Sequence, residues 1–310
     1  MKKGYLYIVL AALLYSTQEI SGKFLATTGK MDPIQVTFIV FTIGTIILAP
    51  MAFKEMKKEK LKLTAKDWAY FIPMGILCVP VSMLCLQFAV TYTAASTSAV
   101  VFCSNAIFTI PFAVMILKSK ISKTDLISMA ISIVGVIVIF NPLSLLNGMT
   151  GGRNLIGILY ALVAAVAWAI FNVCSKTRIG YYGSYVLNFF CFLVGIIVLF
   201  LILVITKRPI LSGIAPQSVI ILLYMGIFIK AFSYIFFLGA VKLTSPVMTS
   251  MVFLIKPALA TILAIVLLGE TIVPNVVIGI LFVLVGSFVS FSSNRKAEKE
   301  KQKLASANPQ

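Results

Sequence analysis

Three ionisable residues, Glu19, Lys230 and Lys256, stand well inside long apolar runs of the 310-residue chain. A charge at the centre of a bilayer costs about 2.5–3.5 kcal/mol even on the lenient insertion scale, so such residues face a cavity or a partner. The two ammonium groups offer donors to a carboxylate or phosphate, and Glu19 offers an acceptor for an amine or a proton. The competing possibilities are a permanent Glu19–Lys256 ion pair that fixes packing and, for Lys230, snorkelling to the interface. Helical spacing adds neutral neighbours: Tyr15 precedes Glu19 by one turn, Trp168 precedes Asn172, and Lys230 precedes Tyr234. Ring surface with a few polar anchors suits a small organic molecule, although Tyr and Trp also serve as packing or interfacial belt residues. Gln87 and Asn105 complete the set, because their amides would be poorly satisfied in lipid.

Other chemistries are excluded by composition. With no His and no clustered carboxylates, neither a His-ligated metal site nor a His-based triad can be built. Cys78, Cys85, Cys103, Cys174 and Cys191 all lie in apolar runs without a CxxC spacing, so no zinc site or disulfide framework is expected. No GxxxxGK[ST] loop supports ATP coupling. No cofactor, metal or catalytic residue is expected, and the protein is not expected to be an enzyme.

The elements that position these residues follow from hydropathy. The chain is 60% hydrophobic and 11% charged with a mean hydropathy of +1.06, which excludes a soluble fold. A helix needs about 20 apolar residues to cross a bilayer. Ten runs of about that length occur, near 4–25, 33–53, 68–88, 94–117, 123–141, 155–176, 181–205, 217–239, 244–267 and 272–292. The first, behind Lys2 and Lys3, lacks a small-residue cleavage pattern and reads as a retained helix rather than a signal peptide. At 1.5 Å per residue Glu19, Lys230 and Lys256 lie roughly 22, 15 and 18 Å from the cytoplasmic ends of their spans, in one central slab.

The formal charge of +17 would suggest nucleic acid in a soluble protein, but here its distribution sets orientation instead. With the N-terminus inside, nineteen Lys and Arg fall on the cytoplasmic side, including Lys54, Lys57, Lys58, Lys60, Lys62, Lys66 and the tail, against four (Lys30, Arg153, Lys207, Arg208) outside. Both termini are therefore expected in the cytoplasm of a multi-pass cell-membrane protein. Lys23 and Lys176, at helix C-terminal ends, read as partners of the helix dipole and interface markers.

The halves repeat. A shift of 151 residues places Ala89-Val90 on Ala240-Val241, Val101-Phe102 on Val252-Phe253, Val134-Gly135 on Val285-Gly286, and Asn105 on Lys256. A shift of 153 matches Tyr15 with Trp168, Glu19 with Asn172 and Lys23 with Lys176. Five spans per repeat is an odd number, so the second half enters the membrane from the opposite side. The expected fold is an all-α integral membrane protein of ten transmembrane helices in two inverted five-helix repeats, residues 1–146 and 147–293, with a disordered basic tail over 294–310. Inverted repeats place a substrate site near the midplane and suit a carrier.

Lys256-Pro257 followed by Leu267-Leu268-Gly269-Glu270, with Gly279 and Gly286 on the last span, resembles the EamA family of the drug/metabolite transporter superfamily over about residues 4–292. The resemblance implies a ten-helix carrier of small metabolites, often an exporter of amino acids or related compounds, with a central cavity lined by helices 1, 3, 4, 6, 8 and 9. Members of that family commonly carry carboxylates where this chain has Lys256 and Ser119. The first change reverses an intramembrane charge and turns the expectation from cations toward a small anionic or zwitterionic metabolite, an amino acid or derivative, moved by alternating access. The alternative is a proton-coupled exporter of cationic compounds through Glu19. A membrane transferase lacks its paired acidic motifs, and a channel remains as a separate class. Pro80, Pro111 and Pro257 read as hinges or static kinks, and Glu270 as a structural loop contact. The expected partners are a small-molecule substrate, lipid and protons, and no nucleic acid.

Overall fold

The computed structural model describes residues 2–118, 123–140, 152–243, 252–271 and 274–286, together with 288, 289 and 292. Among the described residues ten helices follow one another in this order. They are α1 (Lys2–Ser16, then Gln18–Thr27), α2 (Pro33–Lys58), α3 (Ala65–Tyr92), α4 (Ala95–Leu117), α5 (Lys123–Phe140), α6 (Gly152–Tyr182), α7 (Ser184–Ile205), α8 (Pro216–Leu243 in three segments), α9 (Val252–Leu268) and α10 (Pro274–Gly286). No strand occurs among the described residues. In hydrocarbon only a helix satisfies every backbone N–H and C=O within its own segment. Six of the ten are long and apolar enough to cross a membrane as they stand, and the chain is a multi-pass membrane protein.

Polar residues in the connections stop and start these helices. Asp32 accepts a hydrogen bond from Ile34 N at 2.8 Å and Pro33 occupies the first turn of α2. Thr64 and Asp67 form a capping box at the start of α3. Gly183 takes the left-handed φ of +77° that turns α6 into α7. Helix α6 runs six residues beyond the expected end at 176, because Lys176 and Arg178 lie at its polar end and Tyr182 buries against α3, where its hydroxyl donates to Asp67 Oδ1 at 2.5 Å.

Departures from regular α-helix cluster where the site lies, and of the three expected at prolines only the one at Pro80 coincides with such a departure. Helix α1 breaks at Thr17, whose hydroxyl donates to Leu14 O at 2.7 Å and pairs with Tyr224 Oη at 2.8 Å. Helix α4 breaks at Ser104. Helices α3 and α8 each contain a π-helical segment, Leu77–Met83 and Met225–Phe232. Pro80 lies in the first, whereas the second has no proline, so proline is not the shared cause. Pro111 and Pro257 sit within continuous helix.

The two π-segments occupy corresponding places in the repeats, and so do two pairs of close helix contacts at glycine. Gly44 on α2 and Gly195 on α7 differ by the repeat offset of 151, as do Gly75 and Gly226. A Cβ on Gly44 would stand 2.6 Å from Lys230 Cβ, and one on Gly195 would overlap Val79 Cβ. In lipid, where no hydrophobic force joins helices, such close approach supplies the dispersion energy that holds the halves together. Between them lies a buried aromatic core, with Phe41 edge-on to Phe192 at 4.8 Å and Phe192 edge-on to Tyr234 at 5.2 Å. Ser119, the tail 294–310, the connection 141–151 and the beginning of the ninth span at 244–251 lie outside the described residues.

Candidate functional site

The break at Thr17 places Gln18 and Glu19 in the first turn of the second half of α1, where both are buried. Successive helical residues point about 100° apart, so the two side chains address different neighbours. Glu19 Oε1 accepts from Lys256 Nζ of α9 at 2.7 Å, and the paired side chains are 0% and 2% exposed. Lys256 Nζ also lies 4.9 Å from the centre of the Phe102 ring, and Ser16 Oγ reaches Lys256 O at 3.4 Å. Glu19 Oε2 is buried without a partner among the described residues. Gln18 Oε1 accepts instead from Lys230 Nζ of α8 at 3.0 Å. The same ammonium also contacts two neutral groups, Met83 Sδ at 3.8 Å and the Phe41 ring at 4.7 Å. Lys230 is 3% exposed, so it does not snorkel.

A cavity lies between these groups. Its walls are Gln18 and Glu19 of α1, Thr37, Val40 and Phe41 of α2, Met83, Leu86, Gln87 and Val90 of α3, and Met225 and Lys230 of α8. It encloses about 310 Å³ including its open mouth, but the space that admits a water-sized body is about 20 Å³. That is room for roughly one water, so this is a compact form of the site. Along α1, α2 and α3 the lining residues lie toward the ends that meet the Thr27–Pro33 and Tyr92–Ala95 connections.

Of the residues expected from the sequence, Glu19, Lys230 and Gln87 line this cavity. Gln87 spends its amide on Gly22 O at 3.1 Å. Lys256 stands behind Glu19 and meets the cavity only through it. Tyr15, Trp168 and Tyr234 come together as an aromatic layer beside the charges, with Tyr15–Tyr234 at 5.8 Å and Trp168–Tyr234 at 6.4 Å. The indole N–H of Trp168 is buried without an acceptor among the described residues. Asn105 turns back on its own helix and donates to Phe102 O at 2.6 Å, and Asn172 is half-buried on α6 outside the lining.

The set of lining helices also differs from the one implied by the family resemblance. Helix α2 contributes three residues, whereas α4, α6 and α9 contribute none. Rings fill the space on that side: Phe102 lies 6.1 Å from Trp168, which lies 5.4 Å from Phe171. Gln18, Thr37, Phe41 and Met83 were missed by sequence reasoning. Only Gln18 carried a usable signal, as an amide beside a buried carboxylate in an apolar run.

Two remaining charges near the connections have structural partners. Lys23 Nζ donates to Thr93 O at 2.8 Å, at the end of α3. Glu270 caps α4, accepting from Ala95 N at 2.6 Å, Ser96 N at 3.2 Å and Ser96 Oγ at 2.7 Å.

The model of the EamA-like transporter family matches residues 2–141 and 155–292, and the chain belongs to that family. It is 58% identical over 302 residues to an uncharacterized transporter of Clostridium kluyveri, covering 97% of each chain. More distant likenesses include an uncharacterized transporter of Synechocystis, 24% identical over 96% of this chain and 89% of that one. Another, of Bacillus subtilis, is 22% identical over 86% and 90%. A solved crystal structure with 18% identity superposes with a TM-score of 0.66 over 96% of this chain and 99% of its own, and so shares the fold. The protein is a membrane transporter, of a family that is not a class of enzymes.

Proposed function

We propose that the protein is a secondary carrier for a small metabolite with a carboxylate or similar oxyanion, zwitterionic amino acids and their derivatives foremost, moved by alternating access. The observation that carries this is Lys230: a buried cation whose hydrogen-bonding partners among the described residues are neutral, lining the same cavity as Glu19, whose Oε2 is buried with no donor among those residues. Two lysines against one carboxylate leave a surplus positive charge in a low-dielectric interior, which an anionic group relieves. The ligand's oxyanion would bind Lys230, an amine where present would bind Glu19 Oε2, and Val40, Leu86, Val90 and Met225 would receive an aliphatic part. The site must widen to admit such a ligand. In this proposal both termini lie in the cytoplasm and the carrier works in the plasma membrane, as the distribution of Lys and Arg indicates.

Thermal unfolding of the purified protein in detergent, against anionic, zwitterionic and cationic metabolites, tests this, because a ligand of the folded state raises the midpoint. Stabilisation by carboxylates or amino acids that disappears in Lys230→Met is expected. Stabilisation by cations alone, abolished by Glu19→Gln and kept in Lys230→Met, would replace this carrier with a cation exporter working through Glu19.

A further inference from the structure

Adjacent residues of α1 sort the buried charges. Glu19 neutralises Lys256 at 2.7 Å, and Gln18, one position earlier and rotated about 100° around the helix, meets Lys230 at 3.0 Å with an uncharged oxygen. The side chain at 18 therefore decides which lysine keeps an uncompensated charge, and that lysine is the one that lines the cavity. Lys230 is held firmly there, since its Cβ packs against Gly44 of α2 and its ammonium stacks on Phe41. Gln18 is 8% exposed and shares the cavity wall, so a charge at that position would act on the ligand site directly.

We propose that Gln18 is the specificity-determining residue of this cavity: by orienting Lys230 through a neutral carbonyl oxygen it keeps the ammonium free to bind an anionic group. This rests on the carrier site proposed above and assigns its charge selectivity to one residue. Binding an oxyanion does not require Lys230 to leave Gln18, because an ammonium has three donors. A carboxylate at position 18 would occupy the same donor and cancel the charge.

The experiment compares wild type, Gln18→Glu, Gln18→Leu and the swap Gln18→Glu/Glu19→Gln, which leaves net charge unchanged. The probes are 4-methylpentanoate, leucine and 3-methylbutylammonium, which share an isobutyl group and differ in charge. Binding is read from ligand-dependent thermal midpoints. Wild type should prefer the two carboxylates over the amine. Gln18→Glu should weaken 4-methylpentanoate by about 30-fold or more, the scale of losing a buried charge partner, with an unliganded midpoint no lower than wild type. The swap should lose it likewise, because the free charge has moved to Lys256. Gln18→Leu should weaken it only severalfold and keep the preference over the amine, a difference from Gln18→Glu that a purely structural role would not produce. Equal effects of the Glu and Leu variants, or anion binding unchanged in either, would overturn the role of Gln18 while leaving the carrier site standing. Should Gln18→Glu not fold, unchanged affinity in Gln18→Leu suffices to overturn it. No carboxylate bound by wild type would sink the carrier site and this inference together.

Discussion

Removing one partner of the Glu19–Lys256 pair isolates its energetic role. The pair is fully buried at 2.7 Å, and Glu19→Gln leaves Lys256 in place with no counter-charge. Breaking a buried pair in this way costs about 3–5 kcal/mol. The Phe102 ring, 4.9 Å from the ammonium, is in place before and after the change and offsets none of that loss, so the expected loss is about 3–5 kcal/mol. Replacing both partners, as Glu19→Gln/Lys256→Met, removes the orphaned charge and should recover most of that loss, within about 1 kcal/mol of wild type. The assay is a double-mutant cycle on equilibrium unfolding in mixed micelles, followed by helix signal. A coupling energy of at least about 2 kcal/mol is expected for residues in direct contact. Coupling near zero, or a double variant less stable than either single one, would refute a pair that is paid for by mutual neutralisation.

Three further perturbations follow from the packing and the charge distribution. Glu270→Gln keeps the shape but removes the charge that accepts three hydrogen bonds at the start of α4, and should cost about 1–3 kcal/mol in the same unfolding assay. Gly44→Val and Gly195→Val should each destabilise by about 1–3 kcal/mol, because each new side chain overlaps a neighbouring Cβ. Only Gly44→Val should also weaken carboxylate binding, since its clash is with Lys230. In a cysteine-free background, Arg153→Cys should react with an impermeant maleimide in intact cells and Lys57→Cys only after permeabilisation; both residues are exposed, and the reverse pattern would invert the orientation.

The broad plan of the molecule was legible because lipid imposes it. Apolar length located the ten spans, and an odd count per repeat required inversion. The details that build the site obey weaker rules. The break at Thr17 comes from a hydroxyl turned onto its own backbone, a choice that the residue type permits but does not dictate. The π-segment around Lys230 has no proline to mark it. Glu19, Lys230 and Lys256 were conspicuous because charge in an apolar run needs a reason, and Lys256 was named as the carboxylate's possible partner, yet depth alone did not decide whether that pair forms. That choice depends on the azimuth of α1, and it leaves Lys230 rather than Lys256 on the cavity. Thr37, Phe41 and Met83 were invisible because a residue that packs and one that lines a cavity have the same composition.

Flux through reconstituted proteoliposomes tests the carrier most directly. With leucine inside the vesicles, uptake of labelled leucine should saturate with external concentration and accelerate over empty vesicles, and both properties should vanish in Lys230→Met. Non-saturating flux without acceleration, or unitary conductance steps in a planar bilayer, would contradict alternating access at this site.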